Sequence, residues 1–162
     1  MAQTIVLGLG NILLRDEGLG VRACEVLSRR YQLPSNVEVL DGGTLGLALL
    51  PHIESATDLL LIDAIHGQRP PGTLIRLEGD EIPAALAVKM SMHQVGLQEL
   101  LAVGMLRDSL PQRIVLWGMQ PAELLPGLEL TPAVAANLDA LVAAVVTELQ
   151  AWGLELIGHE HA

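Results

Sequence analysis

Residues 5–20 read Ile5-Val6-Leu7-Gly8-Leu9-Gly10-Asn11-Ile12-Leu13-Leu14-Arg15-Asp16-Glu17-Gly18-Leu19-Gly20. The unbroken apolar run at the start predicts a strand, Ile5–Leu9, buried on both faces, as in a parallel sheet covered by helices. Gly8 and Gly10 then allow a loop to approach another backbone closely, because neither carries a Cβ. Two adjacent acids follow, just ahead of a helical period. Asp16 is placed to cap that helix and Glu17 to lie in its first turn, with Val21, Cys24, Leu27 and Tyr31 as the inward stripe. Strand, close-approach loop and helix in this order open an α/β domain.

The remaining chain repeats the alternation. Val37–Leu40 is a second short strand, Asp41-Gly42-Gly43-Thr44 a flexible turn, and Leu45–Leu50 a short helix stopped by Pro51. Asp58–Ile62 is a third buried strand that delivers Asp63 at its C-terminal end. Gln68–Gly72 is a Pro/Gly loop, and the alternation in Thr73–Leu77 predicts an exposed, antiparallel edge strand. The segment 78–92 has no decisive period. Ser91 and Gln94 have capping-box spacing, which starts a helix with His93 in its first turn. Ile114–Trp117 is the last strand. Thr131-Pro132 pairs an N-cap with proline at the first helical position of a final helix that runs to about Trp152. The expected fold is a three-layer α/β arrangement around a mostly parallel sheet with one antiparallel edge strand. Residues 1–155 form a single domain and residues 156–162 a short flexible tail.

Composition excludes several function classes. The chain has 162 residues and a formal net charge of −10, with only nine Lys and Arg. Those nine are scattered, whereas phosphate backbones require clustered cations, so nucleic acid is an unfavourable partner. Half the residues are apolar but 2% are aromatic, so the core is built from aliphatic side chains. Asp, Glu, Arg or Pro interrupts every apolar run before the roughly 18 residues that a membrane span needs. The start, Met1-Ala2-Gln3-Thr4, lacks a basic, secretory-type beginning, and a single cysteine permits neither a disulfide framework nor a thiolate metal site. A cytoplasmic setting is expected.

In an open α/β sheet, ligands bind beyond the C-terminal strand ends. That rule selects Asn11, Asp16, Glu17, Asp41 and Asp63, with His93 from a helix start. Gly8-Leu9-Gly10 begins like a dinucleotide fingerprint, and Asp41 stands where a ribose-binding acid would. Against that reading, Leu13 replaces the third glycine and is expected to obstruct helix–strand packing. Asp16 and Glu17 would also repel a pyrophosphate at the helix start. Glu17, Asp63 and His93 form a different set: two carboxylates and an imidazole that suit a divalent first-row metal such as nickel or zinc. Each also has a plain explanation, as a first-turn acid, a strand-end cap and a helix-start residue. His52 and His66 read as surface loop residues, and His159 and His161 belong to the tail. No serine occupies a nucleophile elbow and no HExxH helix occurs, so serine-hydrolase and conventional zinc-protease readings lack support.

Five blocks in order carry a family resemblance: GLGNILLRDEGLGVR at 8–22, LDGGTLGLALL at 40–50, LLLIDAI at 59–65, SMHQVGL at 91–97 and WGMQP at 117–121. The chain resembles the [NiFe]-hydrogenase maturation endopeptidases from about Ile5 to Trp152. The resemblance implies an α/β/α sandwich around a five-stranded twisted sheet. It also implies removal of a C-terminal extension from the hydrogenase large-subunit precursor once nickel is inserted. Carried over residue by residue, the metal ligands are Glu17, Asp63 and His93, with nickel supplied by the substrate and no organic cofactor. Asp41, with Gly42, Gly43 and Thr44, matches a segment that engages substrate, and Asn11 joins it at the loop. Asp41 is further expected to orient water or substrate backbone. A monomer is expected. The competing readings are a non-catalytic nickel chaperone using the same three residues and a nucleotide-dependent α/β enzyme.

Overall fold

The computed structural model describes residues 3–43, 50–79, 81–82, 111–122 and 125–159, and elements are numbered in chain order over these. The five strands of the main sheet are β1 (Thr4–Leu9), β3 (Val37–Gly43), β4 (Asp58–Ala64), β5 (Leu74–Glu78) and β6 (Arg113–Met119). They lie in the order β3-β1-β4-β6-β5. The first three pairings in that order are parallel, and β5 runs antiparallel to β6 at the edge. The expected sheet and its exposed antiparallel edge are therefore present.

Buried side chains leave the sheet on both faces because successive residues of a strand point opposite ways. Ile5, Leu7, Leu59 and Leu61 join one core with Ile53 of α2 (Leu50–Ser55) and Ile82. Val6, Leu60 and Ile62 join the other. There they meet Leu19, Ala23 and Leu27 of α1 (Leu19–Arg30) and Leu141, Val145 and Leu149 of α4 (Leu138–Ala151). Two such cores explain why the strands read as continuous apolar runs rather than alternating ones.

Several boundaries differ from expectation for local reasons. Asp16 and Glu17 are not in the first helix. They belong to a 3-10 turn, Arg15–Gly18, and Gly18 is the N-cap of α1 with no side-chain cap bond. Asp41, Gly42 and Gly43 are not a turn but the end of β3, with Asp41 in register with Gly8. Pro51 lies within α2 rather than after the end of a helix. The final helix is two segments, α3 (Pro132–Ala136) and α4, broken at Asn137, whose side-chain amide donates to the Gly72 carbonyl at 2.7 Å. Tyr31 leaves the helical stripe to start β2 (Tyr31–Gln32), which pairs with β7 (Ile157–Gly158) inside the segment expected as a tail. The expected helices at Leu45–Leu50 and from Ser91 fall wholly or mostly outside the described residues.

Candidate functional site

The sheet order fixes where a site belongs. From β1 the chain passes through α1 to β3 on one side, and β4 lies on the other side of β1. The C-terminal ends of β1 and β4 therefore flank the point where the winding reverses, the usual ligand crevice of such sheets. Gly8, Gly10 and Asp63 are at those ends, and the 3-10 turn carrying Glu17 packs over them.

Glycines bring these parts into contact. A Cβ on Gly8 would lie 2.5 Å from the Gly20 carbonyl oxygen and 2.8 Å from Cys24 Sγ. A Cβ on Gly20 would collide with the Ile62 carbonyl and lie 2.5 Å from that of Leu9. The first turn of α1 thus rests directly on the ends of β1 and β4. Leu13 does not obstruct this packing as expected: it points outward, and Gly20 supplies the close approach. Gly10 has φ +108°, and a Cβ there would strike the Glu17 carbonyl oxygen and lie 3.4 Å from Asp63 Oδ1. Gly10 is therefore the point around which Glu17 and Asp63 meet.

Both acids are buried, at 1% exposure each. Both carboxylate oxygens of Glu17 are closed to solvent. Asp63 Oδ1 accepts a hydrogen bond from the Ala64 N–H at 2.8 Å. Opposite Asp63 in β6 stands Gly118, where a Cβ would collide with the Asp63 carbonyl, so glycine is required on that side too. Beyond β6, Gln120 Oε1 accepts from the N–H groups of Gly67 at 2.6 Å and Arg69 at 3.3 Å, fastening the loop that follows β4.

Asp16 has a role that the sequence did not disclose. Its carboxylate is fully buried and reaches across the fold instead of capping α1. Oδ2 accepts from the Ala122 N–H at 2.8 Å, and Oδ1 accepts from the Thr131 N–H at 2.8 Å. The Thr131 hydroxyl donates as well, at 2.8 Å to Oδ2 and 3.1 Å to Oδ1. Thr131 is the expected N-cap residue of α3, yet its hydroxyl serves this bridge and makes no cap bond. The partners lie more than a hundred residues away in sequence, so no local pattern could have announced them.

Among the other expected site residues, Asn11 Oδ1 accepts from the Leu13 N–H at 2.9 Å, forming an Asx-type turn that shapes the loop. Asp41 is exposed at the end of β3, on the same sheet edge as Gly8. Burial pushes the Cys24 thiol up to about 12, with the charges of Asp41 and Glu25 adding to the effect. Cys24 is thus a packing residue and not a nucleophile. Gly42 is buried and Gly43 ends the strand. His66 is half-buried just past β4, and His52 is exposed on α2. His93 and Thr44 lie outside the described residues. Among the described residues no three metal-type side chains form a cluster; Glu17 and Asp63 are the two expected ligands that can be placed. Two buried carboxylates at one strand edge suit a cation or a hydrogen-bond donor and would repel a phosphate.

Comparison with known proteins agrees with this architecture. Residues 21–148 match the HycI family of hydrogenase maturation proteases. The chain is 46% identical over 156 residues to the hydrogenase expression/formation protein HupD of Rhodobacter capsulatus, covering 95% of this chain and 74% of that protein. It is 41% identical over 157 residues to the hydrogenase 2 maturation protease of Escherichia coli K12, covering 96% of each. The solved structure of the E. coli hydrogenase maturating endopeptidase HybD superposes with a TM-score of 0.94 at 39% identity over 99% of both chains. The [NiFe] hydrogenase maturation protease HybD of Thermococcus kodakarensis gives 0.69 at 27% identity, over 90% of this chain and 97% of that one. This chain belongs to the hydrogenase maturation protease family and is a peptide-bond hydrolase of that family.

Proposed function

We propose that the chain removes the C-terminal extension of a [NiFe]-hydrogenase large-subunit precursor after nickel insertion, reading the substrate's nickel at Glu17, Asp63 and His93. The observation that carries this reading is the meeting of two buried acidic residues at Gly10, by the winding reversal of the sheet: the backbone of Glu17 and the carboxylate of Asp63 both pack against that glycine. Two buried acids on neighbouring elements suit a positive centre better than an anion. Nickel carried by the precursor supplies that centre, and His93 adds an imidazole suited to it. Ionised carboxylates and neutral imidazole are needed, so recognition weakens as acid protonates them. Bound in this way, the metal fixes the precursor's backbone beside the sheet edge. Asp41, with Gly42, Gly43 and Thr44, then orients the scissile segment or its attacking water, and Asn11 holds the loop against it. The enzyme acts as a monomer in the cytoplasm, with the precursor as its protein partner. None of the helices among the described residues is long and apolar enough to cross a membrane.

The test is processing of nickel-loaded precursor, followed by mass spectrometry, with Glu17→Gln, Asp63→Asn and His93→Gln variants. Shortening of the precursor by the parent protein and its loss in the variants is expected, as is resistance of nickel-free precursor. Normal cleavage by all three variants would overturn the site assignment, and an unshortened precursor would leave a chaperone in place of a protease.

A further inference from the structure

Five large aliphatic side chains are exposed among the described residues, and four of them sit on two adjoining segments beside the candidate site. Ile12 is 36% exposed, Leu13 57%, Leu125 62% and Leu128 61%. The segments are joined by backbone: Gly127 N–H donates to the Leu13 carbonyl at 2.9 Å, and Arg15 N–H to the Gly127 carbonyl at 3.0 Å. Arg15, at φ +50°, and Arg22 hold the second segment further, donating to the carbonyls of Glu129 at 3.2 Å and Leu128 at 3.0 Å. Asp16 binds Ala122 before this segment and Thr131 after it. The aliphatic strip is thus fastened at both ends to the turn that carries Glu17. Leaving four such side chains in water on a rigidly held strip is the mark of an interaction surface.

We infer that this strip, Ile12-Leu13 with Leu125 and Leu128, is the platform on which an apolar surface of the precursor seats while its nickel meets Glu17 and Asp63. The inference rests on the function proposed above. The strip is continuous with the site: it shares a loop with Asn11 and Glu17, so an occupant there is placed in register with the site. A second copy of this chain on the strip would cover the edge at which an endopeptidase admits its polypeptide. A net charge of −10 opposes an anionic lipid surface.

The experiment uses full-length Leu13→Asp and Leu128→Asp chains, singly and combined, with nickel-loaded precursor. Both positions are exposed, so thermal melting should match the parent. The combined variant is expected to raise KM at least about tenfold, the effect of losing central apolar anchors from an interface, with kcat within about twofold. A KM unchanged within about twofold overturns the inference while leaving the proposed function standing. If the parent protein does not cleave the precursor, that function fails, and the strip is read instead by the dissociation constant for precursor. An equal constant for parent and combined variant overturns it, and weakening of about tenfold supports it. A parent dimer dissolved by the two substitutions, or flotation of the parent with phosphatidylcholine vesicles, would assign the strip to another occupant and overturn it.

Discussion

Replacing Asp16 with Asn tests the cross-link that holds the site together. The carboxylate takes two backbone N–H groups on different oxygens, Ala122 on Oδ2 and Thr131 on Oδ1, each at 2.8 Å. An amide has one acceptor oxygen, so whichever way it turns, its NH2 faces one of those N–H groups and leaves it unsatisfied. Loss of a hydrogen bond to a charged acceptor costs about 1.5–3 kcal/mol, and orphaning a buried donor adds about 1–3 kcal/mol. Removing one negative charge beside Glu17 relieves some repulsion and offsets part of this. The expected net loss is about 2–3 kcal/mol, and about 4 kcal/mol for Asp16→Ala, where all the donors lose their acceptor. Against a typical stability of about 5–15 kcal/mol, the Asn variant still folds and can be measured.

Urea denaturation at neutral pH is the assay, with an unchanged m-value as the condition for comparison. Thr131→Val provides the partner measurement. It removes only the hydroxyl that bonds both carboxylate oxygens and should cost about 1 kcal/mol in the parent. In the Asn background it should cost clearly less, because the two groups are in contact. A cost for Asp16→Asn below about 0.5 kcal/mol, or strict additivity with Thr131→Val, would mean that the Asp16 bridge does not hold the fold together.

Gly10→Ala combines a left-handed backbone with a collision against the Glu17 carbonyl, while Gly79→Ala meets a positive φ with nothing nearby. The first should lose about 3 kcal/mol or more and the second about 1 kcal/mol, and equal melting shifts would remove the argument that Gly10 is a contact point. Glu148 is held below the ordinary carboxylate range chiefly by hydrogen bonds from Arg76 at 2.6 and 3.3 Å, aided by the indoles of Trp117 and Trp152. A lowered folded-state pKa means that its stabilisation is complete above the unfolded value of 4.5 and disappears as pH falls through the folded one. Glu148→Gln should cost about 1–2 kcal/mol at pH 7, discounted for the part-exposed Arg76, and flatten the acid limb of a melting-temperature profile. A parallel acid limb in parent and variant would count against it.

Much of the fold was legible because the strands are apolar throughout and the helices carry a clear stripe. Ile5–Leu9 and Leu59–Ile62 have apolar side chains to hide from water on both faces, and that alone predicts a covered parallel sheet. The alternation in Thr73–Leu77 likewise marked the one antiparallel edge. The strand-end rule also selected Glu17 and Asp63, and both are buried beside Gly10. What failed was assigned from local chemistry where a distant group prevailed. Asp16 looked like an N-cap because capping is the commonest local use of an aspartate before a helix. Ala122 and Thr131 offered it three stronger donors. Thr131 was diverted by the same bridge. Leu13 was judged by its place in a glycine fingerprint, yet the 3-10 turn moves the helix start to Leu19 and passes the close-contact position to Gly20. Gly118 had a usable signal: a glycine at the end of an apolar strand marks a close backbone approach.

That displaced helix start also explains how one loop geometry serves opposite electrostatics. In a phosphate-binding loop, glycines let backbone N–H groups and the positive end of a helix reach an anion. Here the glycines perform the same steric task, but four residues of 3-10 turn come between the loop and α1. Those residues place Asp16 and Glu17 immediately before the helix, where its dipole favours negative charge. The helix end that would attract phosphate is therefore preceded by the protein's own acids. One of them is tied into the scaffold by Ala122 and Thr131, which fixes the position of the turn bearing the other. An anion approaching Gly10 would meet the Asp63 carboxylate and the Glu17 backbone carbonyl, both electronegative. The polarity of the site follows from that insertion as much as from the glycines.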